Sequence, residues 1–196
     1  MKRLFGICIV LISLASMNLM HQDHYTVDNK KSTITWTGEK IASKHTGNIS
    51  ISKGIISIDH GNIAAASFEV DMNSITNADL ESEKYNKMLV DHLNGEDFFD
   101  IKKYPVASFK MLKSKQTTKA HIVKGELTIK DKVHPVTATL NLEQNETGLV
   151  VRGEMIFDRT KFGIVYKSGN FFESLGDKMI HDEVKLQFEI TATRKQ

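Results

Sequence analysis

Histidine is the side chain best suited to proton transfer and metal ligation near neutral pH, and this 196-residue chain carries eight of them. Their spacing offers little catalysis. His21 and His24 stand three apart, a metal-like interval, but in a polar lead-in without a full ligand set, so no metal is expected there. There is no HExxH, nucleophile elbow, GxGxxG or P-loop. Asp97 and Asp100 bracket Phe98-Phe99 as a carboxylate pair, yet capping of a helix or turn explains such acids more simply. An enzyme would have to work through His45 with His92 or Asp100. The expectation is no catalytic residues, no metal and no cofactor.

What the residues do offer is an apolar wall. Thioethers are flexible and aromatic faces are wide, and a lipid tail needs both around a dry tube. Trp36, Phe68, Met72, Phe109, Met111, Leu127, Met155, Phe157 and Phe188 are the lining candidates, with Leu80, Met88, Leu89 and Phe98 closing one end. Burying a chain of methylenes at about 0.8 kcal/mol each would give ample affinity. The same residues could equally pack against one another. For a head group, Lys40, His45, Arg159 and Lys161 flank the ends of predicted strands, Arg159 with a guanidinium fork suited to phosphate. An outward pairing of Arg159 with Asp100 or Asp158 is the structural alternative.

These side chains need strands to hold them. Apolar residues alternate at Ile34 and Trp36; Ile49 and Ile51; Ile56 and Ile58; and Ala66, Phe68, Val70 and Met72. The rhythm returns over Ala107–Met111, Val123–Ile129, Val136–Leu142, Leu149–Phe157 and Val184–Ala192. Ser52-Lys53-Gly54 and Gly61-Asn62 read as turns. One helical stretch interrupts the pattern, about 78–93, where Leu80, Met88, Leu89 and Leu93 fall on one stripe. It is expected to lid or plug the barrel.

The half-buried antiparallel strands number about eight or nine, and such a set must close into a barrel or fold into two sheets to cover its edges. Gly125, Ala138 and Gly153 stand at inward positions where a packed core would carry larger residues. They suggest room for one small ligand inside an eight-stranded barrel; the alternative is that the glycines mark bends or bulges.

Composition sets the remaining bounds. At 40% hydrophobic and 26% charged, the chain suits one globular domain. Lys2 and Arg3 precede an apolar run from Leu4 to Leu14, with Ser13 and Ala15 at signal-peptidase spacing, so residues 1–15 are expected to be a signal peptide, cleaved between 15 and 20. The barrel domain would then span 21–196 in the periplasm or outside the cell. The lone Cys8 leaves with the leader, so no disulfide supports the fold. Losing Lys2 and Arg3 as well leaves basic and acidic residues balanced, with no electrostatic footprint for nucleic acid.

Several stretches, in order and spacing, resemble the YceI-like family of exported lipid-binding proteins over the whole mature length. They are Tyr25-Thr26-Val27-Asp28 leading into Ser32-Thr33-Ile34-Thr35-Trp36-Thr37-Gly38, His45-Thr46-Gly47, and Phe68-Glu69-Val70-Asp71-Met72-Asn73-Ser74-Ile75. Next come His92-Leu93, Asp97-Phe98-Phe99-Asp100, Tyr104-Pro105 with Phe109, and Gly125-Glu126-Leu127-Thr128-Ile129. Arg159 with Phe162-Gly163-Ile164, Leu175-Gly176-Asp177 and Asp182-Glu183-Val184 complete the set. The resemblance implies an extended antiparallel lipocalin-like β-barrel that binds a polyisoprenoid, fatty acid or fatty amide without catalysis.

A membrane surface, for loading, and a second copy of the chain are further partners this reading admits. Two other classes remain: an exported enzyme, and a stress-related structural or interaction protein using the barrel as scaffold. In the last, Phe171 and Phe172 would be a contact patch rather than part of the mouth. Asn145-Glu146-Thr147 has sequon form and is read as chance.

Overall fold

The computed structural model describes residues 22–146 and 148–195. The expected signal peptide, with its cleavage site, His21 and Thr147 of the sequon lie outside the described residues. Nine strands form one antiparallel sheet: β1 (Gln22–Val27), β2 (Thr33–Lys40), β3 (Lys44–Asp59), β4 (Asn62–Asp71), β5 (Val106–Gln116), β6 (His121–Ile129), β7 (Lys132–Gln144), β8 (Gly148–Asp158) and β9 (Ile180–Arg194). One helix, α1 (Glu83–Asn94), lies in the connection between β4 and β5.

The sheet closes on itself. Its order runs β3-β2-β9-β8-β7-β6-β5-β4, and β4 pairs back onto β3. β1 is not a ninth stave. Tyr25 pairs with both Ile56 of β3 and Arg194 of β9, while β2 fills the same gap further along, where Ile34 pairs with Ile49 and Phe188. β1 and β2 are thus one interrupted strand, broken at Asp28–Ser32, where the Ser32 hydroxyl donates to the Asp28 carbonyl. The result is a closed eight-strand barrel with no free edge.

Alternation decides the faces. In β6, His121, Val123, Gly125, Leu127 and Ile129 are all buried, and the residues between them are less so. β7 and β8 behave likewise at Val136, Ala138 and Leu140, and at Leu149, Val151, Met155 and Phe157. Two elements differ from expectation. His24, assigned to a polar lead-in, sits in β1 with Nδ1 2.9 Å from Ser57 Oγ. Ser52-Lys53-Gly54 is not a turn: β3 runs through it, with a register shift between Ile51 and Lys53 that bends the strand without ending it.

The helix also differs. It begins at Glu83 rather than Ala78 because residues 77–80 are held by side chains instead. Leu80 N–H donates to Asn77 Oδ1, and the Asp79 carboxylate accepts from the Thr46 amide on β3. Asn and Asp compete with helix formation through such local bonds. Asn86 then fastens α1 to this segment, its amide donating to Asn77 and to the Leu80 carbonyl.

The two ends of the barrel are unlike. At the end formed by the short 60–61 and 117–120 connections, Tyr25, Ile58, Leu149 and Ala192 are 1–2% exposed, and Gln144 Nε2 donates to the Tyr25 hydroxyl at 2.7 Å. This is a floor. The opposite end carries the long connections, 72–105 with α1 and 159–179.

Candidate functional site

Two apolar cavities lie inside the barrel. The one nearer α1 has a volume of about 170 Å³ and is walled by Trp36, Ile49, Met72, Ile75, Leu89, Leu93, Phe98, Phe99 and Phe157, among others. The second, about 100 Å³, lies deeper, among Ile51, Ile63, Phe68, Phe109, Met155 and Phe188. Four residues, Ile34, Val70, Leu127 and Leu186, line both. The cavities are therefore neighbouring chambers, with these four side chains at the boundary between them.

Local sequence explains the upper wall. Trp36 Nε1 donates to the Thr76 carbonyl at 3.1 Å, which fixes the indole against the segment ahead of α1. That segment can cross β3 only because position 47 is glycine: a β-carbon there would lie 1.8 Å from the Thr76 oxygen. Leu89 and Leu93 face the chamber from α1. Phe98 forms an aromatic group with His92 and Tyr166, the His92 ring meeting each edge-on at 4.9 and 4.8 Å between centroids.

Ten of the thirteen residues expected to line a tunnel stand on these walls: Trp36, Met72, Leu89, Phe98 and Phe157 on the upper, Phe68, Phe109, Met155 and Phe188 on the lower, and Leu127 on both. Three do not. Met88 points to solvent at 58% exposure, because at 3.6 residues per turn it lies about 100° around the helix from Leu89, off the face that Leu89 and Leu93 share. Leu80 precedes the helix and is half-buried outside the chamber walls. Met111 packs against the core without reaching either cavity, next to the register shift at Met111/Lys113.

The inward glycines do not create empty space. A β-carbon at Gly125 would meet the Phe109 ring at 2.4 Å, and one at Gly153 would meet Phe188 Cζ at 2.8 Å. The rings occupy what the glycines vacate. Sequence periodicity misses this because the space is filled from neighbouring strands.

Polar groups gather at the α1 end. Glu39, Lys40, His45, Arg159 and His181 border the upper chamber. His45 Nδ1 lies 2.8 Å from Asp79 Oδ2. Desolvation pushes the Asp79 carboxyl up, but bonds from the Thr46 amide, His45 and Asn77 outweigh it and hold it below its ordinary value. Asp79 is the residue that sequence reasoning missed; its one signal was its place in the Asn77-Ala78-Asp79 turn.

Arg159 is not free to grip a phosphate. At 2% exposure it donates to the carbonyls of Ile164, Ile180 and His181 and to Asp182 Oδ1 at 3.2 Å. Asp182 in turn accepts from Ser168 and Asn170. The expected partners, Asp100 and Asp158, are thus replaced by Asp182, and the fork ties the 159–179 loop to β9. Burial draws the guanidinium pKa down against the pull of Asp182 and Asp158. Lys161 lies outward, 4.0 Å from Asp158.

The catalytic pairing considered from sequence is not assembled. His45 pairs with Asp79, and His92 pairs with Asp97 at 3.0 Å. Asp100 instead turns the chain at φ 47°, its carbonyl accepting from Lys103 and Tyr104. Among the described residues, no three His, Cys, Asp or Glu side chains come together to hold a metal ion.

The YceI-like domain family matches residues 25–192. The chain belongs to the YceI-like family. Among solved structures, this YceI-like barrel is similar to Burkholderia cenocepacia BcnA, with 27% identity over 85% of this chain and 99% of that one, at a TM-score of 0.69. A polyisoprenoid-binding domain from Saccharophagus degradans shares the fold at 13% identity and TM-score 0.62, covering 87% of this chain and 98% of that one. A Campylobacter jejuni YceI protein shares it at 17% identity and TM-score 0.53, covering 100% of this chain and 94% of that one. No curated protein matches the chain.

Proposed function

We propose that this YceI-like protein binds one long apolar chain, of polyisoprenoid or fatty-acyl type, non-covalently in its barrel and releases it unchanged. The observation that carries the reading is the pair of apolar chambers inside the barrel, which share four wall residues and lie above a tightly packed end. A floor at one end and long loops at the other make a tube entered from the α1 end. Flexible Met72 and Met155 and the broad faces of Phe68, Phe98, Phe109 and Phe188 suit a flexible hydrocarbon. A fold shared with a polyisoprenoid-binding domain supports the same reading.

The polar groups around the upper chamber give a head group a place at the mouth. Lys40 and His45 are its contacts; Arg159 is a positioning residue, since its guanidinium holds the 159–179 loop in place. The protein acts as a carrier or store in the cell envelope, exported by the basic and apolar stretch at residues 2–14. Exposed Ile41, Tyr85, Met88, Phe171 and Phe172, all on connections at the α1 end, suit loading at a membrane surface.

Native mass spectrometry and organic extraction of protein purified without detergent test the proposal. An adduct that extracts into solvent as a long-chain lipid is expected. A clean apo mass, with no uptake of long-chain probes, overturns it. N-terminal sequencing of the envelope-fraction protein tests export, with a new terminus between residues 15 and 21 expected.

A further inference from the structure

The upper and lower chambers meet at four side chains, one from each of four strands: Ile34 on β2, Val70 on β4, Leu127 on β6 and Leu186 on β9. Strand order places them as two groups. β2 and β9 are neighbours, with Trp36 paired to Leu186. β4 and β6 flank β5 on the other side of the ring, separated from the first group by β3 one way and by β7 and β8 the other. The boundary between the chambers is therefore a ring, with Ile34 and Leu186 on one wall and Val70 and Leu127 on the other.

Beyond the lower chamber the barrel end is tightly packed. Its floor is Tyr25, Ile58, Leu149 and Ala192, none more than 2% exposed. A chain entering at α1 fills the upper chamber first and reaches the lower one only through the four-residue ring. Two of the four, Ile34 and Val70, are β-branched and restricted at χ1, so the ring does not widen easily on that account. Upper-chamber Ile180 and lower-chamber Ile190 are ten residues apart on β9, roughly 33 Å along the strand at about 3.3 Å per residue. Strand tilt of about 40° reduces that to roughly 25 Å along the axis.

We infer that the ring of Ile34, Val70, Leu127 and Leu186 sets the longest apolar chain that this barrel accepts, by controlling access to the lower chamber. The inference rests on the reading that the tunnel holds such a chain. It assigns separate tasks: the upper chamber accepts chains of any length, and the ring and floor measure the excess. Bulk added at the ring, away from Lys40 and His45 at the mouth, shortens the ruler.

The test is a homologous series of straight-chain fatty acids, dodecanoic to eicosanoic, titrated against wild type, Leu127→Trp, Leu186→Phe and the exterior control Leu112→Ala. In wild type and in Leu112→Ala, affinity should climb roughly fourfold per methylene until the tunnel is full. In Leu127→Trp and Leu186→Phe the climb should stop at a shorter acid, so that the ratio of eicosanoic to dodecanoic acid affinity falls at least tenfold below that of wild type. Circular dichroism and thermal unfolding show whether each variant folds. Should both narrowing variants unfold, Leu186→Ala, which opens the ring, carries the test: it should favour methyl-branched phytanic acid over hexadecanoic acid at least threefold more than wild type does. Length profiles parallel to wild type in the folded variants, or no such preference, overturn the inference. A wild-type protein that binds no member of the series overturns the carrier reading itself, a distinct result.

Discussion

The ring of Phe109, on β5, lies against Gly125 of its neighbour β6, so close that a β-carbon on Gly125 would stand 2.4 Å from Phe109 Cζ. The glycine is a seat for the ring. The same site also faces the Lys110 carbonyl, 2.6 Å from that β-carbon.

Gly125→Ala is expected to destabilise the barrel by about 1 to 3 kcal/mol, the range for overpacking a filled core. Part of that cost should disappear in a Phe109→Leu background, since the ring supplies one of the two clashes. Urea unfolding of both single variants and the double gives the coupling. Strict additivity would mean that ring and glycine do not compete for the same space.

Breaking the Arg159–Asp182 pair should be among the costliest single changes. Arg159→Lys removes a fork that three carbonyls and one carboxylate accept from, and is expected to cost about 3 to 5 kcal/mol in chemical denaturation. Asp182→Asn should cost less, because Ile164, Ile180 and His181 still accept from the guanidinium, although the single amide oxygen can no longer serve both Arg159 and the Ser168 and Asn170 donors. Equal losses in the two variants would contradict this assignment of weight to the guanidinium.

Two groups give the stability curve an acid side. His121 is 7% exposed with Nδ1 unpartnered among the described residues, and burial holds its pKa below the ordinary 6.5. The unfolded chain therefore takes up this proton first, and stability falls as pH drops below about 6.5. His121→Leu should flatten that decline in thermal melts. Asp79 is also lowered, from 3.8, so its contribution is present above that value and fades as pH falls through the folded pKa. The melting difference between wild type and Asp79→Asn should accordingly be larger at neutral pH than at pH 3.

Trp36 is the only tryptophan and stands on the upper chamber wall. Filling that chamber with a hydrocarbon chain should shift its emission and reduce its quenching by acrylamide. Gly47→Ala, which would force the Thr76 carbonyl away from the indole, should change the emission of the free protein. Unaltered emission on saturation with a long-chain acid would place the chain elsewhere.

Much of the barrel was legible in the residues themselves. The two-residue alternation through Val123–Ile129 or Leu149–Phe157 determines which side chains face in, because strand geometry sends neighbours to opposite faces whatever the rest of the chain does. Half-buried antiparallel strands in such number also demand covered edges, through a closed barrel or a second sheet. The tunnel walls at Trp36, Phe68, Leu127 and Phe188 follow from the same rule.

What tertiary structure decided was everything set by partners distant in sequence. Periodicity extended the helix back to Ala78, but Asp79 is bound to Thr46 and His45, more than thirty positions earlier, and the helix waits until Glu83. Alternation likewise marked Gly125 and Gly153 as inward, yet could not say whether Phe109 and Phe188 would fill the space above them. Arg159 looked available to a ligand until β9 returned to supply Asp182 and two carbonyls. Local patterning sets direction, because it follows from backbone geometry; occupancy depends on which strand comes to lie alongside, and only the closed barrel fixes that.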